Sequence, residues 1–315
     1  MVLVTKFPPI PRLSIVIPVG RDVATFENTL VSVLENQPAD SEILVCHDGR
    51  YANPFELSDE VRFVTSESNR FVDLVDAGAF AAQGQFVHIL ADGMRATQGW
   101  TAGAIEKFEH FDAGVVSPVI RSGDDNIILA AGWHDTADRL CKPADFGKMD
   151  VPASKAKLIG AYLQASFWRR ELLRTVCEAC DLQDELDASY AYEWLARTAG
   201  WRCVLADQSS VIADDDEIPG EQPSLSRGKR LRAIRGCFRG GGSSAAYKAS
   251  AFAMLANLFR PSMLGESIGQ AFAASLETKI SRMIHPDEVL ACGDDADTVI
   301  HSLPNTGFTE TRRAA

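Results

Sequence analysis

Two aspartates follow apolar runs in the first third of the sequence, and a further group of acidic residues lies near its middle. Asp92 follows the apolar run at residues 86–90 in an Ala-Asp-Gly turn, and Asp48 follows the run at residues 42–46 in a His-Asp-Gly turn. A third acidic group lies within residues 185–193. The carboxyl ends of strands in open α/β sheets face the ligand crevice, where a carboxylate meets a metal ion or a ligand hydroxyl. The alternative for each aspartate is a turn residue that binds only its own backbone.

Buried parallel strands are expected to position these carboxylates. Residues 13–17, 42–46 and 86–90 are largely apolar runs, each with one polar residue, and are typical of strands covered on both faces. Residues 22–36 and 71–82 repeat apolar side chains at helical spacing between them. Strand and helix patterns continue to alternate up to residue 120, which predicts a doubly wound α/β sheet.

The pattern changes after residue 120. Residues 121–156 are rich in Asp, Gly, Pro and Lys and have little periodicity, which predicts a long surface excursion. Residues 159–168 then predict a strand, residues 188–199 a helix and residues 202–206 another strand. We therefore expect a domain at residues 1–212.

The last hundred residues have a different composition. A basic stretch at residues 227–239 precedes a glycine-rich break and two alanine-rich helices. We expect these elements to form a C-terminal helical appendage at residues 213–284. Residues 285–315 have no periodic pattern and are expected to be a loosely ordered tail.

Composition excludes several classes of protein. The formal charge of −12 argues against a non-specific nucleic-acid binder, which needs clustered Lys and Arg. Neither a GxxxxGK[ST] loop nor a GxGxxG turn follows a strand, which argues against ordinary triphosphate hydrolases and dinucleotide dehydrogenases. The seven cysteines are scattered, and no run reaches the roughly 20 apolar residues of a spanning helix. These features predict a cytoplasmic protein.

Two sets of motifs occur along the chain, and their order identifies a protein family more specifically than any single motif does. The first set is LSIVIPVGRDVATFENTLVSVLENQ, EILVCHDG and DAGAFAAQGQFVHILADG. The second is GAYLQASFWRRELLRTV, then Asp184-Glu185, then a helix ending in AGWR. Together, over about residues 13–212, they resemble family 2 glycosyltransferases. The resemblance implies a GT-A fold with a donor half at residues 13–120 and an acceptor half at residues 157–212.

The resemblance also implies a chemistry and a donor site. The family uses a nucleotide-sugar donor and Mg²⁺ or Mn²⁺, and it inverts the anomeric carbon by direct displacement. Matched position by position, Pro18, Val19 and Asp48 would hold the base and ribose. Asp76 stands where the family often has an Asn before a Gly.

The metal motif of the family is only half present. Asp92 matches the last carboxylate of the DxD motif and is the expected metal ligand, but Leu90 replaces the first carboxylate. Mg²⁺ commonly keeps several waters and needs only one or two carboxylates, so Asp92 with waters and donor phosphates remains a workable set.

The catalytic base is expected near the start of the helix that ends in AGWR. Counting forward from Glu185 selects Glu193, whereas counting back from Gly200 reaches residues 187–189. We take Glu193 as the first candidate and Asp187 as the second. The alternative is that Glu193 is a solvated helix residue.

The expected function is inverting, non-processive transfer of a sugar to a glycan or a lipid-linked acceptor. The basic stretch at residues 227–239 could close over the donor diphosphate, make a peripheral contact with an anionic membrane, or form a solvated face. One alternative function is a degenerate relative that binds a nucleotide sugar, a glycan or a partner without turnover. Another is a sugar nucleotidyltransferase, for which VGRDVAT is too poor in glycine and arginine.

Overall fold

The computed structural model describes residues 11–289, apart from residues 21, 52–56, 58–59, 111, 153–156, 216–217, 219–221 and 239–242. The strands are β1 (Leu13–Pro18), β2 (Ser41–His47), β3 (Arg62–Thr65), β4 (Phe86–Ile89), β5 (Met94–Ala96), β6 (Ala113–Ser122), β7 (Ile128–Ala130), β8 (Trp133–His134), β9 (Lys142–Pro143), β10 (Phe167–Arg169) and β11 (Arg202–Ala213). The helices are α1 (Val23–Glu35), α2 (Phe71–Ala81), α3 (Ala102–His110), α4 (Arg170–Glu178), α5 (Glu185–Thr198), α6 (Leu225–Phe238), α7 (Ser243–Ala256), α8 (Pro261–Ala271) and α9 (Ala274–Ile280).

One mixed sheet lies at the centre of the fold. Its strand order is β3-β2-β1-β4-β10-β6-β11-β5, and β7 pairs with β6. Strands β1 to β4 are mutually parallel, and β11 is parallel to β6. Strands β10 and β5 run antiparallel to their neighbours. The predicted doubly wound α/β sheet is confirmed, and it is mixed because β10 enters between β4 and β6 in the opposite direction.

The first βα unit follows from its sequence. All residues of β1 and β2 are buried, which accounts for their mostly apolar sequences, and the polar Ser14 and Glu42 bind each other at 2.6 Å. Helix α1 begins after Asp22, whose carboxylate accepts hydrogen bonds from the Ala24 N–H (3.0 Å) and the Thr25 hydroxyl (2.7 Å). A side-chain acceptor of this kind satisfies an N–H group that has no partner inside the helix.

The predicted strand at residues 159–168 is wrong over most of its length. Leu163–Ala165 form a 3-10 turn, and β10 covers only Phe167–Arg169. Helix α5 takes the backbone N–H groups that a neighbouring strand would otherwise bind. Glu193 accepts from the Ala161 N–H at 2.6 Å, and Ser189 accepts from the Leu163 N–H at 3.0 Å.

The C-terminal helices form a layer beside α5. Helix α6 packs against α5, α8 and α9. The chain then returns to the end of α4, where the His285 N–H donates to the Ala179 carbonyl at 2.8 Å. Val289 is fully buried, so the first residues of the predicted loose tail are packed. Residues 290–315 lie outside the described residues.

Within the part of the chain that the structure describes, no helix is both long enough and apolar enough to cross a bilayer.

Candidate active site

The carboxyl ends of β1, β2 and β4 meet at one edge of the sheet. Pro18 is in register with Cys46, and Val16 with Ile89, so β1 lies between the strands that carry Asp48 and Asp92. The Val19 N–H donates to the Cys46 carbonyl at 2.8 Å, which fixes the start of the loop after β1. The sequence prediction that both carboxylates emerge at one edge is therefore met by the strand order.

Two contacts hold the turn that carries Asp92. The Ala91 N–H donates to the Gln164 carbonyl at 2.8 Å, and the Gly93 N–H donates to the Thr29 hydroxyl at 3.1 Å. Gly93 has a φ of 80°, a left-handed conformation that favours glycine. The Asp92 turn is thus tied to α1 on one side and to the loop before β10 on the other.

The Asp92 side chain occupies space left by a glycine. A Cβ atom added to Gly20 would lie 1.9 Å from Asp92 Oδ2. Burial raises the pKa of Asp92, and the charge of Asp22 raises it further. Asp92 and the exposed Asp22 thus lie near each other beside the loop that follows β1.

Glu185, which belongs to the second half of the chain, lies on the side of Asp92. It is the first residue of α5, next to the N-cap Asp184, and it is partly buried. Burial raises the pKa of Glu185 to about 7; the nearby Gln164 amide lowers it, while the charges of Asp92 and Asp184 raise it. Glu185 is therefore a carboxylate that ionises near neutral pH and interacts with Asp92.

Gln164 is the polar neighbour of this pair. Its side chain is fully buried, and neither amide atom reaches full hydrogen-bond geometry with a described group. Its amide nevertheless lies close enough to Glu185 to lower the pKa of that carboxyl. An amide in this position favours the ionised form of the carboxyl group beside it.

The site fits a divalent cation only in a limited way. Leu90 is completely buried where the family's first metal carboxylate would stand. Among the described residues no group of three or more His, Cys, Asp or Glu side chains has metal-binding geometry. The prediction that Asp92 holds Mg²⁺ or Mn²⁺ would require waters and donor phosphates to complete the coordination.

Asp48 is engaged in its own turn. Its Oδ1 accepts from the Arg50 N–H at 3.1 Å, and its Oδ2 lies 3.4 Å from Arg50 Nε. His47 packs edge-on against Tyr51 and Phe63, with ring centroids 6.4 and 6.0 Å apart. Asp48 thus makes the backbone contact of a turn former, and its role in ribose binding stays a prediction.

The predicted Asp76 lies in a different cluster. It sits in the middle of α2 and accepts a hydrogen bond from the Tyr192 hydroxyl at 3.1 Å. Burial raises the pKa of Asp76 to about 6, and contacts with Cys177 and Tyr192 lower it. Its charged neighbours are Asp73 and Asp181, so the structure does not bring Asp76 together with Asp92.

The structure places both predicted bases away from Asp92. Glu193 is fully buried, its carboxylate accepts the Ala161 N–H, and burial raises its pKa to about 8. Asp187 is also buried, and Arg230 Nε lies 2.6 Å from its Oδ2. Side chains along α5 have different neighbours, since Arg230 binds Asp187 and the Ala161 N–H binds Glu193, and the catalytic role of either carboxylate stays a prediction. Glu185, the first residue of α5, is a carboxylate of this helix on which the charge of Asp92 acts.

The basic stretch is largely absorbed by the fold. Arg227 pairs with Glu266 at 2.5 Å and is completely buried, and Arg235 lies 3.3 Å from Asp135. Arg230 pairs with Asp187 in the first turn of α5. These guanidinium groups attach α6 to the rest of the chain, which was not among the three roles expected for residues 227–239.

A cavity of about 610 Å³ lies at the other end of the sheet, where β11 begins. Basic side chains and one tryptophan are prominent in its lining: Lys107, Lys157, Arg197, Arg202 and Trp201. None of the predicted site residues lines it. We therefore place the candidate site at the carboxylate edge, where the chemistry is, rather than in this cavity.

No protein-family model and no curated protein matches the chain. Solved structures match it by fold. S. aureus TarS, residues 1–349 in complex with UDP, superposes with a TM-score of 0.53 at 12% identity, covering 91% of this chain and 92% of that one. GalNAc-T7 with UDP, GalNAc and Mn²⁺ gives 0.52 at 16% identity, covering 87% of this chain.

This chain spans 59% of the GalNAc-T7 chain and nearly all of the TarS fragment. At these identities the likeness establishes the fold. The protein therefore has the GT-A glycosyltransferase fold, and the predicted fold class is confirmed.

Proposed function

We propose that this protein is a nucleotide-sugar-dependent glycosyltransferase that moves a single sugar, with inversion, to a glycan or a lipid-linked acceptor. The observation that carries the proposal is the carboxyl edge of the GT-A sheet, where Asp48 and Asp92 follow adjacent parallel strands and Glu185 at the start of α5 is close enough for the charge of Asp92 to act on it. The UDP-bound TarS and GalNAc-T7 structures support a nucleotide donor.

Glu185 is proposed as the general base. A base works best when its pKa lies near the working pH, because it is then largely ionised and still accepts a proton readily. The Glu185 carboxylate would take the proton of the acceptor hydroxyl as that oxygen attacks the anomeric carbon. The new C–O bond forms on the face opposite the nucleoside diphosphate, and the bond to the diphosphate breaks with both electrons leaving on its oxygen.

Asp92 is proposed to act on the donor side. When bound there, Mg²⁺ or Mn²⁺ would stabilise the negative charge that grows on the departing diphosphate. Asp92 would hold it through one carboxylate, and Gly20 leaves the space in which this carboxylate lies. The Mn²⁺ in the GalNAc-T7 structure supports a divalent cofactor.

Pro18, Val19 and Asp48 are proposed to line the nucleoside pocket, since they occupy the same sheet edge as Asp92. Asp76 is left out of this proposal because its partners are Tyr192 and Cys177.

A non-catalytic binding protein is the second candidate. The buried Leu90 and the missing carboxylate cluster among the described residues favour it. Such a protein would retain the nucleotide pocket and the fold without turnover.

One experiment separates these functions. UDP-, GDP-, TDP- and CMP-sugars are tested with Mn²⁺ and with EDTA, by thermal shift for binding and by nucleotide release for turnover. Ligand that binds the native state raises its stability by mass action, so binding is visible without turnover. Wild type is compared with Asp92→Asn and with Asp76→Asn as the matched carboxylate control.

Cation-dependent release that Asp92→Asn abolishes and Asp76→Asn retains supports the transferase. A stability shift without release supports the binding protein. Release that survives Asp92→Asn overturns the assignment of Asp92.

A further inference from the structure

The corner between α7 and α8 exposes large apolar side chains next to one another. The exposed fraction is 58% for Phe252, 74% for Leu255, 55% for Leu258 and 93% for Phe259. Phe252 and Leu255 lie three residues apart in α7 and are neighbours on its surface, while Leu258 and Phe259 lie in the turn that follows the helix. Soluble proteins rarely expose contiguous apolar patches, and larger ones mark protein or membrane contacts.

The corner is held in place by a buried amide. Asn257 is 1% exposed, and its Nδ2 donates to the Asp138 carbonyl at 3.1 Å and to the Ser267 hydroxyl at 3.0 Å. Pro261 then begins α8 at the first helical position. The apolar side chains on either side of Asn257 therefore point outward from a fixed backbone.

The sequence around the corner has a strong excess of positive charge. Residues 222–265 contain eight Lys and Arg and no Asp or Glu, in a protein whose formal charge is −12. Arg227, Arg230 and Arg235 are paired with Glu266, Asp187 and Asp135. Lys248 and Arg260 are exposed beside the corner. Asp138 is close enough to Arg260 for the arginine to help lower its pKa, so one acidic group faces this side.

Exposed apolar side chains flanked by cations match the interface of an anionic bilayer. There, apolar groups enter the acyl boundary while Lys and Arg contact phosphate headgroups. Phe259 protrudes almost entirely from the surface, which suits insertion into lipid better than a flat interface with a second copy. The segment is too short to span, in keeping with peripheral binding.

We propose that the α7–α8 corner, defined as Phe252, Leu255, Leu258 and Phe259 with Lys248 and Arg260, inserts into the headgroup region of an anionic lipid bilayer. This surface differs from the basic stretch at residues 227–239, whose paired arginines are turned to the core. The inference stands whether or not the protein transfers sugar.

The test is co-sedimentation of the full chain with vesicles of phosphatidylcholine, with and without phosphatidylglycerol, at low and high salt. Wild type is expected to bind the anionic vesicles. Leu255→Ser with Phe259→Ser is expected to weaken binding by at least about tenfold, since it removes the inserting groups. Lys248→Gln with Arg260→Gln should reduce binding and its dependence on salt.

Val31→Ser on α1, where the side chain is 49% exposed, is the matched control and should bind as wild type does. All variants change exposed side chains, so thermal unfolding that matches wild type verifies the fold.

Three results would overturn the proposal. The first is no vesicle binding by folded wild type. The second is binding that the Leu255/Phe259 variant retains. The third is lipid-free self-association of wild type that the same variant abolishes, which would identify a second copy as the occupant.

Discussion

Helix α5 carries two glutamates with raised pKa values and opposite surroundings. Glu185 in the first turn interacts with Asp92 and Gln164, whereas Glu193, eight residues later, accepts the Ala161 N–H inside the core. Burial is the first cause of the raised pKa at both. A perturbed pKa therefore indicates a buried carboxylate, and only the neighbours distinguish a candidate base from a structural group.

Replacing each glutamate by glutamine tests this contrast most directly. Glu185→Gln should lower the rate of transfer by about 10²–10⁴-fold, because glutamine cannot accept the acceptor proton. Glu193→Gln should stay within about threefold of wild type, because glutamine still accepts the Ala161 N–H. Steady-state kinetics with the donor identified by thermal shift provides the measurement. Equal losses in both variants would place the base elsewhere.

Filling the space beside Asp92 is expected to have the next largest effect, a loss of donor affinity. Gly20→Ala would force the Asp92 carboxylate to move, since the new Cβ overlaps Oδ2. We expect donor affinity to fall by about tenfold, as for a misplaced binding group.

Gly265→Ala on α8 is the control for that substitution, because a Cβ there meets no atom within 4 Å. It should leave donor binding unchanged and raise stability slightly, by about 0.5–1 kcal/mol. Calorimetric titration of both variants is the measurement. Wild-type affinity in Gly20→Ala would show that the Asp92 carboxylate is not needed where it lies.

The pH profile reports the surroundings of Glu185. A base must be ionised, so kcat/KM should rise with pH and level off above about 7. The Gln164 amide lowers the pKa of Glu185, so Gln164→Leu should move the rise to higher pH. If the pH profile of Gln164→Leu matches that of wild type, Gln164 does not influence the pKa of the base.

The titration of Glu193 should affect the stability of the protein rather than its activity. Its pKa is about 8 in the folded state against an ordinary value of 4.5, so the folded state binds the additional proton. Unfolding free energy should therefore fall as pH rises from 4.5 to 8, by at most about 1.4 kcal/mol per pH unit from this group.

Glu193→Gln should lose this contribution. Urea unfolding of both proteins across that pH range measures the difference, and parallel stability curves would mean that Glu193 does not titrate as described.

Much of the donor half is readable from sequence. The runs that became β1 and β2 are buried on both faces, so they are mostly apolar, and Asp22 marks the start of α1. The predicted strand at residues 159–168 failed because side chains of α5 replace strand partners there. An apolar run predicts that a segment is buried, but it does not predict which groups form hydrogen bonds with the backbone of that segment.

The base could not be fixed by counting residues. Glu193, Asp187 and Glu185 all lie on α5, and helical spacing alone does not reveal which turn faces the sheet edge. Arg230 and the Ala161 N–H already bind two of these carboxylates. A sequence signal did exist, since Glu185 follows the N-cap Asp184 at the start of the helix.

The sequence by itself determined the alternation of strands and helices, the carboxylates that follow strand ends, and the one-sided charge of residues 222–265. These properties depend on local spacing and composition. The tertiary structure decided that Glu185 meets Asp92, that Glu193 and Asp76 have other partners, and that Arg227 is buried against Glu266. Such pairings join residues far apart in the chain, and the protonation of each group depends on burial and neighbouring charge, which only the packed fold supplies.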